Sequence, residues 1–356
     1  MTATQTLDSL DGAILNHIQD DFPLTQRPFA VLAEKFGIDE RTVLERLQAA
    51  RESGVLRQVS AIFDTTALGY RSSLVAARIA PERLAEGAAI INSHPGVSHN
   101  YRRNHDFNVW FTVAVPPEAS LEWTVERLGQ ISGAESVRRL PTLKLYKIGV
   151  SLDMTGERPL DARGAPEYSD DRRQEASRIA VTDFDRDLVR ALQDDIELTE
   201  EPFAAPAARA GLSQERLLDE ALRLQRQGHL RRFAAILRHR KAGFTANGMA
   251  VWAVPEADTE ETGPVMASFR SVSHCYRRPV YPDWPYSIFT MIHARSKAEC
   301  EATADAIAAA TGVSERAMLY SSTEYKKIRL TYFTEELDGW ERRERERAAT
   351  EETVAR

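Results

Sequence analysis

Apolar positions near the N-terminus recur at helical spacing. Leu7, Leu10, Ile14 and Ile18 predict a first helix, with Asp8 or Ser9 as its cap. Pro28 stands at the first position of a second helix, whose face Phe29, Leu32, Ala33 and Phe36 runs up to Gly37. Asp39 opens a third, carrying Val43, Leu44, Leu47 and Ala50 and stopping at Gly54. From Val55 the period drops to two, and 70–79 is rich in strand formers. A helix over 81–92, strands over about 97–103 and 107–115, a helix over about 118–131 and a strand over about 138–148 follow.

The pattern then repeats 174 positions further on. Leu10-Asp11 matches Phe184-Asp185, Pro28-Phe29 matches Pro202-Phe203, Gly37 matches Gly211, Gly54 matches Gly228, Leu56-Arg57 matches Leu230-Arg231, and Gly69 matches Gly243. Three short helices with a glycine turn read as a helix-turn-helix unit, and the βαββαβ order after them is ferredoxin-like. The expected organisation is α+β, a tandem duplication: helix-turn-helix units over 1–58 and 182–232, ferredoxin-like domains over 59–150 and 233–334, a polar linker over 151–181, and a charged tail over 335–356, read as a solvated helix or frayed end. The two halves are expected to pair through their sheets as an internal pseudo-dimer, so that a single chain works as a pseudo-heterodimer.

Composition narrows the function. A net charge of −7 in 356 residues argues against general binding to nucleic acid or anionic membranes. Two cysteines, Cys275 and Cys300, without metal-ligand spacing, fit a reducing compartment, and the start MTATQTLDSLDG lacks the basic and apolar parts of a signal peptide. No apolar run is long enough for a bilayer, so the expectation is cytoplasmic. Neither recognition-helix candidate is basic: 39–52 sets Asp39, Glu40, Glu45 and Glu52 against Arg41, Arg46 and Arg51, while 213–226 balances Glu215, Asp219 and Glu220 with Arg216, Arg223 and Arg226. DNA is therefore not the expected partner.

Candidate chemistry concentrates in a duplicated cluster. His99-Asn-Tyr-Arg-Arg-Asn-His-Asp-Phe-Asn-Val-Trp-Phe-Thr112 returns as His274-Cys-Tyr-Arg-Arg-Pro-Val-Tyr-Pro-Asp-Trp-Pro-Tyr-Ser-Ile-Phe-Thr290, with three extra residues in the turn. Strand alternation puts His99, Tyr101 and Arg103 on one face with Asn100 and Arg102 opposite, and His274, Tyr276 and Arg278 opposite Cys275 and Arg277. Arginines suit bidentate carboxylate binding, histidines suit proton transfer, and Tyr101, Trp110, Trp284 and Tyr286 offer faces for a flat ring. A large, planar polyanion and a proton-dependent reaction fit this set.

These two signatures resemble those of the siroheme decarboxylases, Lrp/AsnC-like proteins of alternative haem and haem d1 biosynthesis, and this chain resembles both of their subunit types fused end to end. The resemblance implies a carboxy-lyase that removes the C12 and C18 acetate carboxyls of siroheme, giving 12,18-didecarboxysiroheme and CO₂. It implies no cofactor and no protein metal site, because the iron belongs to the substrate. His105, in a turn, is the first choice for the acid, with Tyr101, His99, His274 and Tyr276 as the other catalytic candidates. Arg57, Arg102, Arg103, Arg231, Arg232, Arg277 and Arg278 are the candidate clamps, with Trp110, Trp284, Tyr286 and His293 beside them. His105 and His293 have no counterparts in the opposite copy, which points to unequal sites. The alternatives are an Lrp/AsnC-type regulator responding to a tetrapyrrole and a non-catalytic haem-binding module.

Overall fold

The computed structural model describes residues 7–149, 162–164, 170–238 and 246–354. Most of the expected linker, and Gly243 of the repeat, lie outside them. The N-terminal unit is α1 (Ser9–Asp20), α2 (Pro28–Phe36) and α3 (Glu40–Glu52). Asp8 caps α1 in a reciprocal capping box with Asp11, Gly37 closes α2 at φ 66°, and the Asp39 carboxylate accepts from the Thr42 amide to start α3. β1 (Leu56–Phe63) follows, then β2 (Arg71–Arg78), α4 (Leu84–Ser93), β3 (Val97–Arg103), β4 (Val109–Val115), α5 (Leu121–Ser132), β5 (Ser136–Leu140) and β6 (Lys144–Ile148).

After α6 (Asp170–Ser177) the order recurs: α7 (Asp183–Leu192), α8 (Ala204–Arg209), α9 (Gln214–Gln227), β7 (Leu230–Leu237), β8 (Ala246–Trp252), α10 (Thr259–Ser268), β9 (Val272–Arg277), β10 (Ile288–Ala294), α11 (Lys297–Thr311) and β11 (Arg316–Lys327). The chain ends in α12 (Glu335–Asp338) and α13 (Trp340–Val354).

The helix-turn-helix units do not stand apart. β1 and β7 pair antiparallel into a separate two-stranded ribbon that straddles both expected domain boundaries. Both units bury their apolar faces in one core with it, Phe22 and Phe203 packing on Phe233.

The remaining strands form one sheet in the order β5-β2-β4-β3-β11-β8-β10-β9-β6. The strand expected over 138–148 is broken at Pro141, which has no amide to donate to a ladder. β5 pairs within its own half, and β6, three residues later, pairs with β9 of the other half. β11 does the same without a break: 316–320 pairs with β8 and 321–327 with β3. Each half thus lends its last strand to the other, and the ends of the nine-strand order are joined by the chain itself. Alternation sorts the side chains of β2 and β4. Val75, Ala77, Val109 and Phe111 pack under α4 and α5, whereas Ala76 and Trp110 meet Met249, Val251, Trp284 and Phe289 of the second half in a shared core.

The tail differs from a solvated helix. Trp340 lies 4.1 Å from the His94 ring, and Arg127 of α5 pairs with Glu344, both nearly buried, so α13 is docked on the first half. Its charge pattern hides these anchors, which also include the Glu341 carboxylate accepting from the Ser120 amide and Arg345 over the Trp123 ring. Among the described residues, no helix is long and apolar enough to cross a membrane.

Candidate active site

β3 and β9 carry the duplicated motif in matching geometry. Pro95-Gly96 lets the chain enter β3 against β4, since a Cβ on Gly96 would collide with the Ala114 carbonyl. The Ser98 hydroxyl meets His99 Nδ1 at 3.0 Å, and the Ser273 hydroxyl meets His274 Nδ1 at 2.8 Å. Tyr101 and Tyr276 follow on the same faces, 6.1 and 6.0 Å from their histidines between ring centres. Across the hairpins Tyr101 pairs with Trp110 and Tyr276 with Phe289. Trp110 and Phe289 are therefore the equivalent positions, and the second connection is longer by four residues, where matching the Phe-Thr pairs gives three.

The candidate residues divide by place. Arg103 and Arg278 are buried; Arg103 donates to the Leu319 carbonyl at 2.8 Å and Arg278 to that of Leu140, and they lie over Tyr101 and Tyr276. These two guanidiniums rivet each β-hairpin to the other half, Arg103 to β11 and Arg278 to the end of β5. Arg102 and Arg277 point to the outer face, Arg102 exposed and Arg277 held by Glu256 at 2.6 Å. Asn100 and Cys275 share that side, Asn100 bonding Asn92 and the Ala88 carbonyl. Trp110, Trp284 and Tyr286 belong to the core shared by the two halves, Trp110 and Trp284 being 5.2 Å apart. Arg232 pairs with Asp20 at 3.5 Å.

His105 sits in the turn after β3, at the opposite end of that strand from His99. Its Nδ1 accepts from the Phe107 amide at 3.0 Å, and its ring meets Trp284 edge-on at 5.1 Å. It is half-buried at the rim of the core shared by the two halves, and it does not join the histidines of β3 and β9.

Those two histidines meet other groups. Lys327 is the cross-strand partner of His99 and Ile148 that of His274. The β1–β7 ribbon lies over both junctions: Arg57 donates to the Lys327 carbonyl at 3.5 Å, and Arg231 to that of Ile148 at 2.7 Å. Between them Arg329, just beyond β11, donates to the Ser60 hydroxyl and the Ala61 carbonyl of β1. Sequence reading passed over Arg329 and Lys327, which lie outside the duplicated motif, and Arg173 of α6, which donates to the Thr66 hydroxyl at 2.9 Å.

The electrostatics are those of an anion site. Burial, reinforced by Lys327 and Arg57, pulls His99 down to about 4. Burial, then His293, Arg231, His99 and Arg278, pulls His274 down to about 3. His99 thus acts on His274 from the other half, so the two motifs lie close to one another. Burial lowers Arg329 to about 10, with Arg57 and Arg231 adding to the shift, and it remains a cation at neutral pH. Burial raises the Tyr276 hydroxyl, Arg278, Arg231 and Arg173 opposing it. Asp64 acts on Tyr276 and Tyr332, but its Oδ1 already accepts from the amides of Thr66 and Ala67. Both motif histidines and tyrosines retain partial solvent access despite this depth, as residues lining a recess do. No group of three or more metal-ligating side chains occurs among the described residues.

Two helix-turn-helix units and two ferredoxin-like domains with exchanged edge strands define a duplicated protein of the Lrp/AsnC type. Residues 67–147 and 241–326 match the AsnC-like ligand binding domain, and 11–57 and 185–231 match the siroheme decarboxylase NirDL-like HTH domain. The siroheme decarboxylase of Hydrogenobacter thermophilus is 39% identical over 92% of this chain and 96% of its own length. The siroheme decarboxylase beta subunit of Methanosarcina barkeri is 44% identical over 39% of this chain and 92% of its own. The crystal structure of the siroheme decarboxylase NirDL in complex with an iron-uroporphyrin III analogue is 34% identical, with a TM-score of 0.70 over 94% of this chain and 98% of that one. This chain belongs to the siroheme decarboxylase family.

Proposed function

We propose that this chain is a siroheme decarboxylase, a carboxy-lyase that removes the C12 and C18 acetate carboxyls of siroheme to give 12,18-didecarboxysiroheme and CO₂. One observation carries the reading: His99 and His274, one from each half, face a common recess under the arginine-bearing β1–β7 ribbon. The family membership and the bound iron-uroporphyrin analogue of the NirDL relative support it.

Each acetate leaves by the same balance. A proton added to a ring carbon lets the macrocycle accept the electron pair of the breaking C–C bond, CO₂ departs, and an exocyclic methylene remains. A proton delivered to the methylene and loss of the ring proton complete the methyl group, so each CO₂ consumes one proton. A histidine serves both transfers. The depressed values of His99 and His274 are those of the protein alone; a substrate rimmed with carboxylates raises them and makes binding draw protons into the site. Arg57 and Arg231 hold carboxylates in register, charge-assisted and at fixed strand positions. The iron is part of the substrate, and the protein needs no metal or cofactor of its own.

Position favours His99 and His274 over His105 as the proton donors, because His105 is spent on the turn and on Trp284. In this reading the protein acts in the cytoplasm as a monomer, its two halves replacing the two subunits, and the helix-turn-helix units are scaffold. Arg27 bridges Glu40 and Glu200, and Gln214 donates to the Gln26 carbonyl, which ties the starts of α3 and α9 together away from a DNA-reading arrangement. Anaerobic incubation with siroheme, with product masses read over time, is the test: loss of two CO₂ per molecule is expected, and recovery of unchanged siroheme would refute it. A siroheme-dependent gel shift would favour the regulator instead.

A further inference from the structure

Arg57 and Arg231 are repeat partners, but Arg329 has none. The strand pairings align Lys327 with Ile148, so two residues later Arg329 stands where the first copy has Val150. Because β1 and β7 are antiparallel, Arg57 lies at the start of β1, and Arg231 lies beside its end, where Ile62 pairs with Arg232 and Phe63 with Leu230. Their anchor points are roughly 17 Å apart along the strand. Arg329 reaches Ser60 and Ala61 midway. Three cations thus run in a row beneath the ribbon, each repelling the next, over the recess that His99 and His274 face. A bond to a hydroxyl and one to a carbonyl do not neutralise a guanidinium, and these leave further N–H donors on Arg329. Such a row of like charges is costly by itself and is relieved by a polyanion.

We propose that Arg329 is a third carboxylate-binding arginine of this site, set midway between Arg57 and Arg231 for a polycarboxylated macrocycle that spans both halves. This deepens the decarboxylase reading and rests on it.

The test uses the full chain and iron-uroporphyrin as probe, titrated by absorbance at several salt concentrations, with thermal unfolding alongside. Arg329→Gln is expected to weaken binding about tenfold or more and to make the salt dependence of affinity shallower by about one charge. Arg329→Lys should restore the salt dependence but only part of the affinity, since a point charge replaces a fork. Ser60→Ala removes a strut contact without touching charge, and should lower the melting temperature while leaving affinity unchanged. Wild-type affinity and salt dependence in Arg329→Gln would overturn the proposal. So would an equal affinity loss in Ser60→Ala, which would make Arg329 only a strut; that comparison and the lysine variant decide the matter if the glutamine variant does not fold. A wild-type chain that binds the probe but leaves siroheme intact refutes the decarboxylase reading and not this one.

Discussion

At the scale of single residues, position in the fold separates chemically identical side chains. His99, His274, His105 and His94 are all partly or wholly buried, but only the first two face the recess. His94 accepts from the Gly96 amide through Nδ1 and packs on Trp340. His99→Ala and His274→Ala are expected to lower siroheme turnover by about 10²- to 10⁴-fold, the usual contribution of a positioned acid, while retaining iron-uroporphyrin binding. His105→Ala should leave turnover within a few fold; loss comparable to the other two would return the acid to the turn. Arg57→Ala or Arg231→Ala should instead raise the dissociation constant about tenfold to a hundredfold, as loss of a charge-assisted hydrogen bond of about 1.5–3 kcal/mol requires.

The strands and helices carry predictions of their own. Burial holds His94 and His274 at about 3 and His99 at about 4, below the ordinary 6.5. Between pH 6.5 and those values the unfolded chain binds more protons than the folded one, so stability is full above 6.5 and falls as pH drops through the window. Each histidine removes about 1.4 kcal/mol per pH unit there. Thermal melts from pH 7 to 4.5 should show this fall, and a His94→Gln variant should flatten it. For α13, Glu344→Gln leaves nearly buried Arg127 with only exposed Glu351 as its ionic partner, and should cost about 2 kcal/mol in urea unfolding. An unchanged midpoint would mean that the helix is held by its other contacts, Trp340 on His94, Glu341 at the Ser120 amide and Arg345 over Trp123.

The whole molecule is two halves that cannot be completed separately. Each half's run of strands in the sheet ends on a strand supplied by the other half, and one core with the β1–β7 ribbon serves both helix-turn-helix units. Fragments cut within 151–161 should fail to behave as soluble monomers when expressed alone. Co-expressed, they should associate one to one and regain siroheme turnover; independent, monodisperse halves would contradict the exchange.

The sequence by itself determined the duplication, the two chain folds and the chemistry of the motif. Helix and strand periods, the caps at Asp8, Gly37 and Asp39, and the repeat register are local, and a chain encodes local preferences within a few residues. The alternation that puts His99, Tyr101 and Arg103 on one face held for the same reason. Tertiary structure alone decided which arginines face the recess, because Arg102 and Arg277 differ from Arg103 and Arg278 only by a strand's side, and neither side is labelled as site or exterior. It also decided the break at Pro141 that sends β6 to the other half, the burial of His105 against Trp284, and the placing of Arg329 between Arg57 and Arg231. These depend on contacts between residues 83 to 270 positions apart, closed by strand exchange between copies, and no period or spacing along the chain records them.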